Sequence, residues 1–153
     1  AGVPVTVING ITAGLAGLTS LGAPLTHREH AHGVVFVTGH AKPGDTGTDW
    51  KALARTARDA KLTLVIYMGV SGAATIEQEL LSSLPAHTPV AIIQHASLPH
   101  QRHAITTLGQ LQATITAQGL GSPSVIVVGD VVRGVALATQ DAAEAAPQAR
   151  RAT

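Results

Sequence analysis

Residues 62–72 read LTLVIYMGVSG. Leu62 to Met68 is an almost unbroken apolar run, the pattern of a central strand covered on both faces. The run stops at Met68-Gly69-Val70-Ser71-Gly72, and Ser71 or Gly72 can open a helix that ends near Leu84. Within that helix Ile76, Leu80 and Leu84 fall four apart and give a single buried stripe. A strand buried on both sides and followed at once by a helix points to a layered α/β domain.

Upstream, residues 24–40 read PLTHREHAHGVVFVTGH, a loop dense in His and Arg that runs into a strand over Gly33–Thr38. A solvated turn follows at Ala41–Gly47. Thr48 or Asp49 then caps a helix reaching about Ala60, with Trp50, Leu53, Ala54 and Ala57 near one face. Earlier still, the β-branched stretch Val3–Ile8 predicts a strand ending at Asn9-Gly10. Thr12 is expected to cap a helix over Ala13–Leu21 through its hydroxyl. Gly14 and Gly17 weaken that helix by about 1 kcal/mol each relative to Ala, so their use is close approach by another helix or a ligand. Gly22-Ala23-Pro24 ends it.

Downstream, Thr88–Gln94 predicts another buried strand, followed by the polar loop His95–His100. Gln101–Thr106 alternates as an edge strand does, Thr107 caps a helix over Leu108–Gln118, and Pro123 opens a last strand at Ser124–Val128. The folded domain is expected to span 1–135. The Ala-, Gln- and Arg-rich tail over 136–153 lacks apolar periodicity and is expected to be disordered. Ligands of such domains collect outside the carboxyl ends of strands, here Asn9–Thr12, Thr38–His40, Met68–Gly72 and Gln94–Ser97.

Composition bounds the function. A length of 153 residues with 45% apolar residues suits one domain with a sizeable core. Ten Lys and Arg against nine Asp and Glu give no electrostatic case for nucleic acid or an anionic membrane. One Trp, one Tyr and one Phe make base-stacking platforms improbable. The absence of Cys excludes disulfides, thiolate catalysis and Cys-based metal sites, and fits a cytoplasmic protein. No apolar run approaches the roughly 18 residues needed to span a bilayer. The first residue is not Met and Val3–Ile8 reads as a strand already under way, so the chain is expected to begin inside a larger protein.

His27, His30, His32 and His40 raise a metal site, since imidazole is the commonest neutral ligand. Their spacing fits no fixed ligand pattern and Glu29 is the one nearby carboxylate, so histidines bonding the loop or a ligand are favoured over zinc. Ser71 and Ser97 lie in no Gly-x-Ser-x-Gly elbow. The glycines match neither a Gly-x-Gly-x-x-Gly fingerprint nor a P-loop. Met68-Gly69 at a strand end admits two readings: an ordinary apolar terminus, or a flexible thioether and bare backbone facing a flat ligand such as adenine.

Taken together, Gly10-Ile11-Thr12-Ala13, Pro24-Leu25-Thr26-His27-Arg28, Phe36-Val37-Thr38-Gly39-His40, Asp49-Trp50, Tyr67-Met68-Gly69-Val70, Gln101-Arg102 and Val127-Val128-Gly129 form an ordered set over residues 2–133. That set resembles the carboxyl-terminal half of the uroporphyrinogen III C-methyltransferases, in the tetrapyrrole (corrin/porphyrin) methylase family. The resemblance implies an α/β layered domain with a mostly buried mixed sheet flanked by helices, the second of two domains. It implies methylation of uroporphyrinogen III at C2 and C7 by S-adenosylmethionine, giving precorrin-2 on the way to siroheme and cobalamin. The cofactor would lie between the two domains, with Thr12, Ala13, Met68, Gly69 and Ala96 on its side of the cleft. Thr26, His27 and Arg28 would face the tetrapyrrole, the Arg28 fork suiting its carboxylates.

The resemblance also implies a homodimer and a missing amino-terminal methylase domain. That half would carry a Gly-rich first loop, a Gly-Gly-Asp cofactor loop and the acid and base, so no catalytic residue is assigned to this chain. Asn9 departs from the family, which usually has Pro there. The rival readings are another precorrin methylase and a non-catalytic binding or dimerisation module.

Overall fold

A computed structural model describes residues 2–41, 44 and 46–135; the expected tail at 136–153 lies outside the described residues. The elements in chain order are α1 (Ala13–Thr19), β1 (Gly33–Thr38), α2 (Trp50–Asp59), β2 (Leu62–Tyr67), α3 (Ala73–Leu80) and β3 (Pro89–Gln94). Then come β4 (Arg102–Thr107), a 3-10 turn (Leu108–Gln110), α4 (Leu111–Gln118), β5 (Ser124–Val128) and a second 3-10 turn (Asp130–Val132).

The five strands form one sheet in the order β1-β2-β5-β3-β4. β1 and β2 are parallel, while β5 runs antiparallel to both β2 and β3, and β4 antiparallel to β3. The sheet is therefore mixed, with the last strand among the described residues inserted at its middle. By these directions β1, β2 and β3 all end at the edge where β5 begins.

Apolar continuity in the interior strands has a direct cause. Successive side chains point to opposite faces, and both faces are covered. Leu64, Ile66, Val90, Ile92 and Ile126 pack with Trp50, Ile76, Leu80, Leu111 and Ile115 beneath α2, α3 and α4. Val65, Ala91, Ile93, Val125 and Val127 pack on the other face with Leu18, Leu25, Val131 and Val132. The result is three layers. α2 starts where the sequence places it, because the Asp49 carboxylate accepts the Ala52 N–H at 2.9 Å. β4 is an edge strand, and only Ala104 on it is buried.

Three expectations are corrected. Val3–Ile8 forms no strand, and Val3, Val5, Val7 and Ile8 are 72–87% exposed. β propensity is local, but a strand exists only when a neighbour takes up its backbone hydrogen bonds. Thr12 occupies the position before α1 without a side-chain cap; its hydroxyl lies 2.5 Å from Tyr67 Oη instead. The stretch after Thr107 is a 3-10 turn before it becomes helix, and Thr107 makes no side-chain cap. Among the described residues no helix is long and apolar enough to cross a membrane.

Candidate functional site

At the edge where β1, β2 and β3 end, a cavity of about 310 Å³ opens. Ala13 from the start of α1, Tyr67 and Met68 from the end of β2, and Ile93, His95 and Ala96 from the end of β3 line it. Leu98 and the Ser122–Val125 stretch leading into β5 complete the wall. This lining contains no carboxylate, lysine or arginine. Its polar residues are Tyr67, His95, Ser122 and Ser124. The volume is at the small end of ligand cavities, and such a largely apolar wall with few convergent polar groups suits an organic ligand.

Local geometry concentrates here as well. Met68 (φ +53°), His95 (φ +53°) and Ser97 (φ +65°) are three of the four non-glycine residues with left-handed backbone among the described residues. Each such residue costs on the order of 1–3 kcal/mol, and such residues gather at ligand sites. The Tyr67 hydroxyl ties the start of α1 to the end of β2: it accepts the Gly14 N–H at 3.1 Å and is hydrogen-bonded to Thr12 Oγ1. It thereby fixes Ala13 against the cavity. Gly14 exists for this approach, since a Cβ there would overlap the Tyr67 hydroxyl and lie 2.8 Å from Val65 Cγ1. The close partner of Gly14 is thus the sheet.

Of the residues expected at a cofactor, Ala13, Met68 and Ala96 converge on this cavity. Thr12 reaches it through Tyr67. Gly69 is buried but lies outside the cavity lining, packed towards Ile66, Ile76 and Ile126, and a Cβ on Gly39 would come within 2.6 Å of the Gly69 Cα. Backbone meets backbone there, so Gly39→Ala must push the Met68-Gly69 turn away from the end of β1. We expect it to cost about 1–3 kcal/mol, read as a fall in melting temperature.

The structure does not bring Thr26, His27 and Arg28 to this cavity. All three are exposed, in a turn closed by the His27–Ala31 bridge. Leu25 and Ala31 on either side pack with Val131, Val132 and Val135, and His32 N–H donates to the Lys61 carbonyl just before β2. The loop therefore sits at the edge where β1 and β2 begin. A second cavity of about 350 Å³ lies at that edge, lined in part by Glu29, His30, Lys61, His87 and Asp130. Ligand-type atoms of His27, Glu29 and His30 fall within 4.8 Å of one another in the same turn. His27 Nδ1 there accepts the Glu29 N–H at 3.2 Å, and the two imidazoles stack at 4.7 Å.

Sequence reasoning missed Tyr67, Ile93, Leu98 and the Ser122–Val125 stretch as cavity wall, and reached His95 only as part of the Gln94–Ser97 loop. Tyr67 was legible as the residue before Met68, whereas nothing local marks the start of β5 as adjacent to both β2 and β3.

A three-layer α/β domain with an apolar cavity at its strand ends is an architecture in which small-molecule sites recur. Residues 1–112 match the tetrapyrrole (corrin/porphyrin) methylases, and the chain belongs to that family. It is 44% identical over 131 residues to a uroporphyrinogen-III C-methyltransferase of Pseudomonas fluorescens, covering 85% of this chain and 51% of that protein. It is 42% identical over 133 residues to a siroheme synthase of Azotobacter vinelandii, covering 86% of this chain and 28% of that protein. Among solved structures, it is similar to uroporphyrin-III C-methyl transferase from Thermus thermophilus complexed with S-adenyl homocysteine, with 34% identity and a TM-score of 0.66. That match covers 86% of this chain and 55% of the other. The chain thus spans about half the length of the methyltransferases it resembles.

Proposed function

We propose that this chain forms one wall of the active site of an S-adenosylmethionine-dependent uroporphyrinogen III methyltransferase, acting at C2 and C7 to give precorrin-2. The observation that carries the reading is the convergence of Ala13, Met68 and Ala96 on one apolar, open-sided cavity at the strand ends. The likeness to methyltransferases, one of them complexed with S-adenyl homocysteine, supplies the chemistry.

The cavity fits the cofactor in kind. Ala13 and Ala96 carry the smallest side chains that still pack, so backbone groups beside them remain reachable. Met68 offers a polarizable thioether to a flat ring. The lining holds no fixed cation to oppose a sulfonium.

When bound, S-adenosylmethionine supplies a methyl group on a cationic leaving group. The chain's share of the work is then alignment and exclusion of water. The Thr12–Tyr67–Gly14 bonds hold the Ala13 wall, and Met68 and Leu98 screen the mouth. An amino-terminal half would cover the exposed apolar rim of Ile11, Leu15, Phe36, Met68 and Leu98 and supply the acid and base. The reading extends to a folded domain ending near residue 135, a homodimer and a cytoplasmic address, all carried over from sequence and family resemblance. Calorimetric titration of S-adenosylhomocysteine into the protein carrying both halves tests it. One saturable site per chain is expected, and no saturable binding would overturn the reading.

A further inference from the structure

Gln101 lies outside the cavity wall, yet its half-buried side chain joins two of the elements that form that wall. Its Oε1 accepts the Ser97 N–H at 2.7 Å, and its Nε2 donates to Ser20 Oγ at 2.9 Å. Ser20 Oγ in turn donates to the Gly17 carbonyl at 2.7 Å, leaving its lone pairs for Gln101. The loop His95–Gln101 is closed on itself by Leu98 N–H to the His95 carbonyl and Gln101 N–H to the Leu98 carbonyl. It carries His95, Ala96 and Leu98 into the cavity, while α1 carries Ala13. The two elements touch at Gly17, where a Cβ would stand 3.6 Å from the Ala96 Cβ.

We propose that Gln101 is a positioning residue for cofactor binding. Its carboxamide is a strut that sets the distance between the Ala13 and Ala96 walls and holds Ser97 in its left-handed backbone. This rests on the methyltransferase reading above. The chemistry is specific: the strut needs an acceptor for the Ser97 N–H and a second polar atom for the Ser20 hydroxyl. A side chain of equal length without polar atoms fills the space and loses both bonds. Glutamate keeps the acceptor and can accept the Ser20 O–H on its other oxygen, the hydroxyl turning from the Gly17 carbonyl to do so.

The test uses the protein carrying both halves, with S-adenosylhomocysteine titrated calorimetrically and melting followed without ligand. Gln101→Met is expected to raise the Kd about tenfold, equivalent to about 1.4 kcal/mol. Gln101→Glu is expected to restore affinity to within about threefold of the parent, the residue of one altered bond. A merely structural Gln101 would lower the melting temperature and leave the Kd of both variants unchanged, overturning the proposal. An equal loss in both variants would overturn it as well, since bulk and not bonding would then be at issue. If Gln101→Met does not fold, Ser20→Ala removes the α1 end of the strut; the same tenfold loss supports the proposal and unchanged affinity overturns it. An unmutated protein that fails to bind S-adenosylhomocysteine overturns the methyltransferase reading and this inference together. A binding parent with an unaffected Gln101→Met overturns this inference alone.

Discussion

Incubated by itself with S-adenosylmethionine and uroporphyrinogen III, the 153-residue chain is expected to give no methylated product. The chain spans 51% of the Pseudomonas fluorescens methyltransferase it resembles. Its cavity is open on the side where Met68 and Leu98 stand 57% and 48% exposed. Methyl transfer from a sulfonium asks little covalent help of a protein, so its rate depends on holding carbon and methyl in line. Well-oriented reactants reach effective molarities of about 10⁵–10⁸ M, and a chain that supplies one wall of the site, as proposed, would not hold two ligands in that geometry. The resemblance also assigns the acid and base to the other half. Product formation, followed by mass spectrometry, should therefore fall below about one thousandth of the rate of the protein carrying both halves. Precorrin-2 from the isolated chain at a comparable rate would mean that the site is complete within these residues.

What the sequence disclosed follows from how each element is stabilised. β2, β3 and β5 were legible because burial on both faces leaves continuous apolar runs, and α2 because Asp49 and the Trp50–Ala57 stripe are local signals. Val3–Ile8 misled for the complementary reason: its residues favour an extended backbone, but no neighbouring strand accepts its hydrogen bonds. The central position of β5 was not legible, since neither its direction nor its neighbours are written in its own residues. The Thr12 hydroxyl went to Tyr67, 55 positions away, and no local rule finds such a partner. Periodicity tells which face a residue occupies and not which edge. The placing of Thr26–Arg28 was nonetheless within reach of the sequence. That loop precedes β1, so it must lie where β1 begins, away from the ends of β2 and β3 where Met68 and Ala96 sit. The left-handed turn at Met68 was hidden, because methionine is not a type that favours that backbone, and His95, a type enriched there, is one of eight histidines with nothing local to single it out.

Met68→Ala, in the protein carrying both halves, is expected to weaken S-adenosylmethionine binding roughly 5- to 150-fold, the effect of removing on the order of 1–3 kcal/mol of apolar contact. The sequence left Met68 between a packing residue and a ligand contact. In the structure the side chain stands 57% exposed in this chain and lines the cavity mouth. Truncating a buried methionine costs about 2–5 kcal/mol of stability through transfer and cavity terms. Here most of that side chain already faces solvent, and alanine meets the same backbone penalty at φ +53°. The melting temperature without ligand should therefore move little while affinity drops. Two measurements separate the roles: calorimetric titration with the cofactor and thermal unfolding in its absence. A large fall in melting temperature with unchanged affinity would show that Met68 is buried against the other half of the protein, serving its packing and not the cofactor.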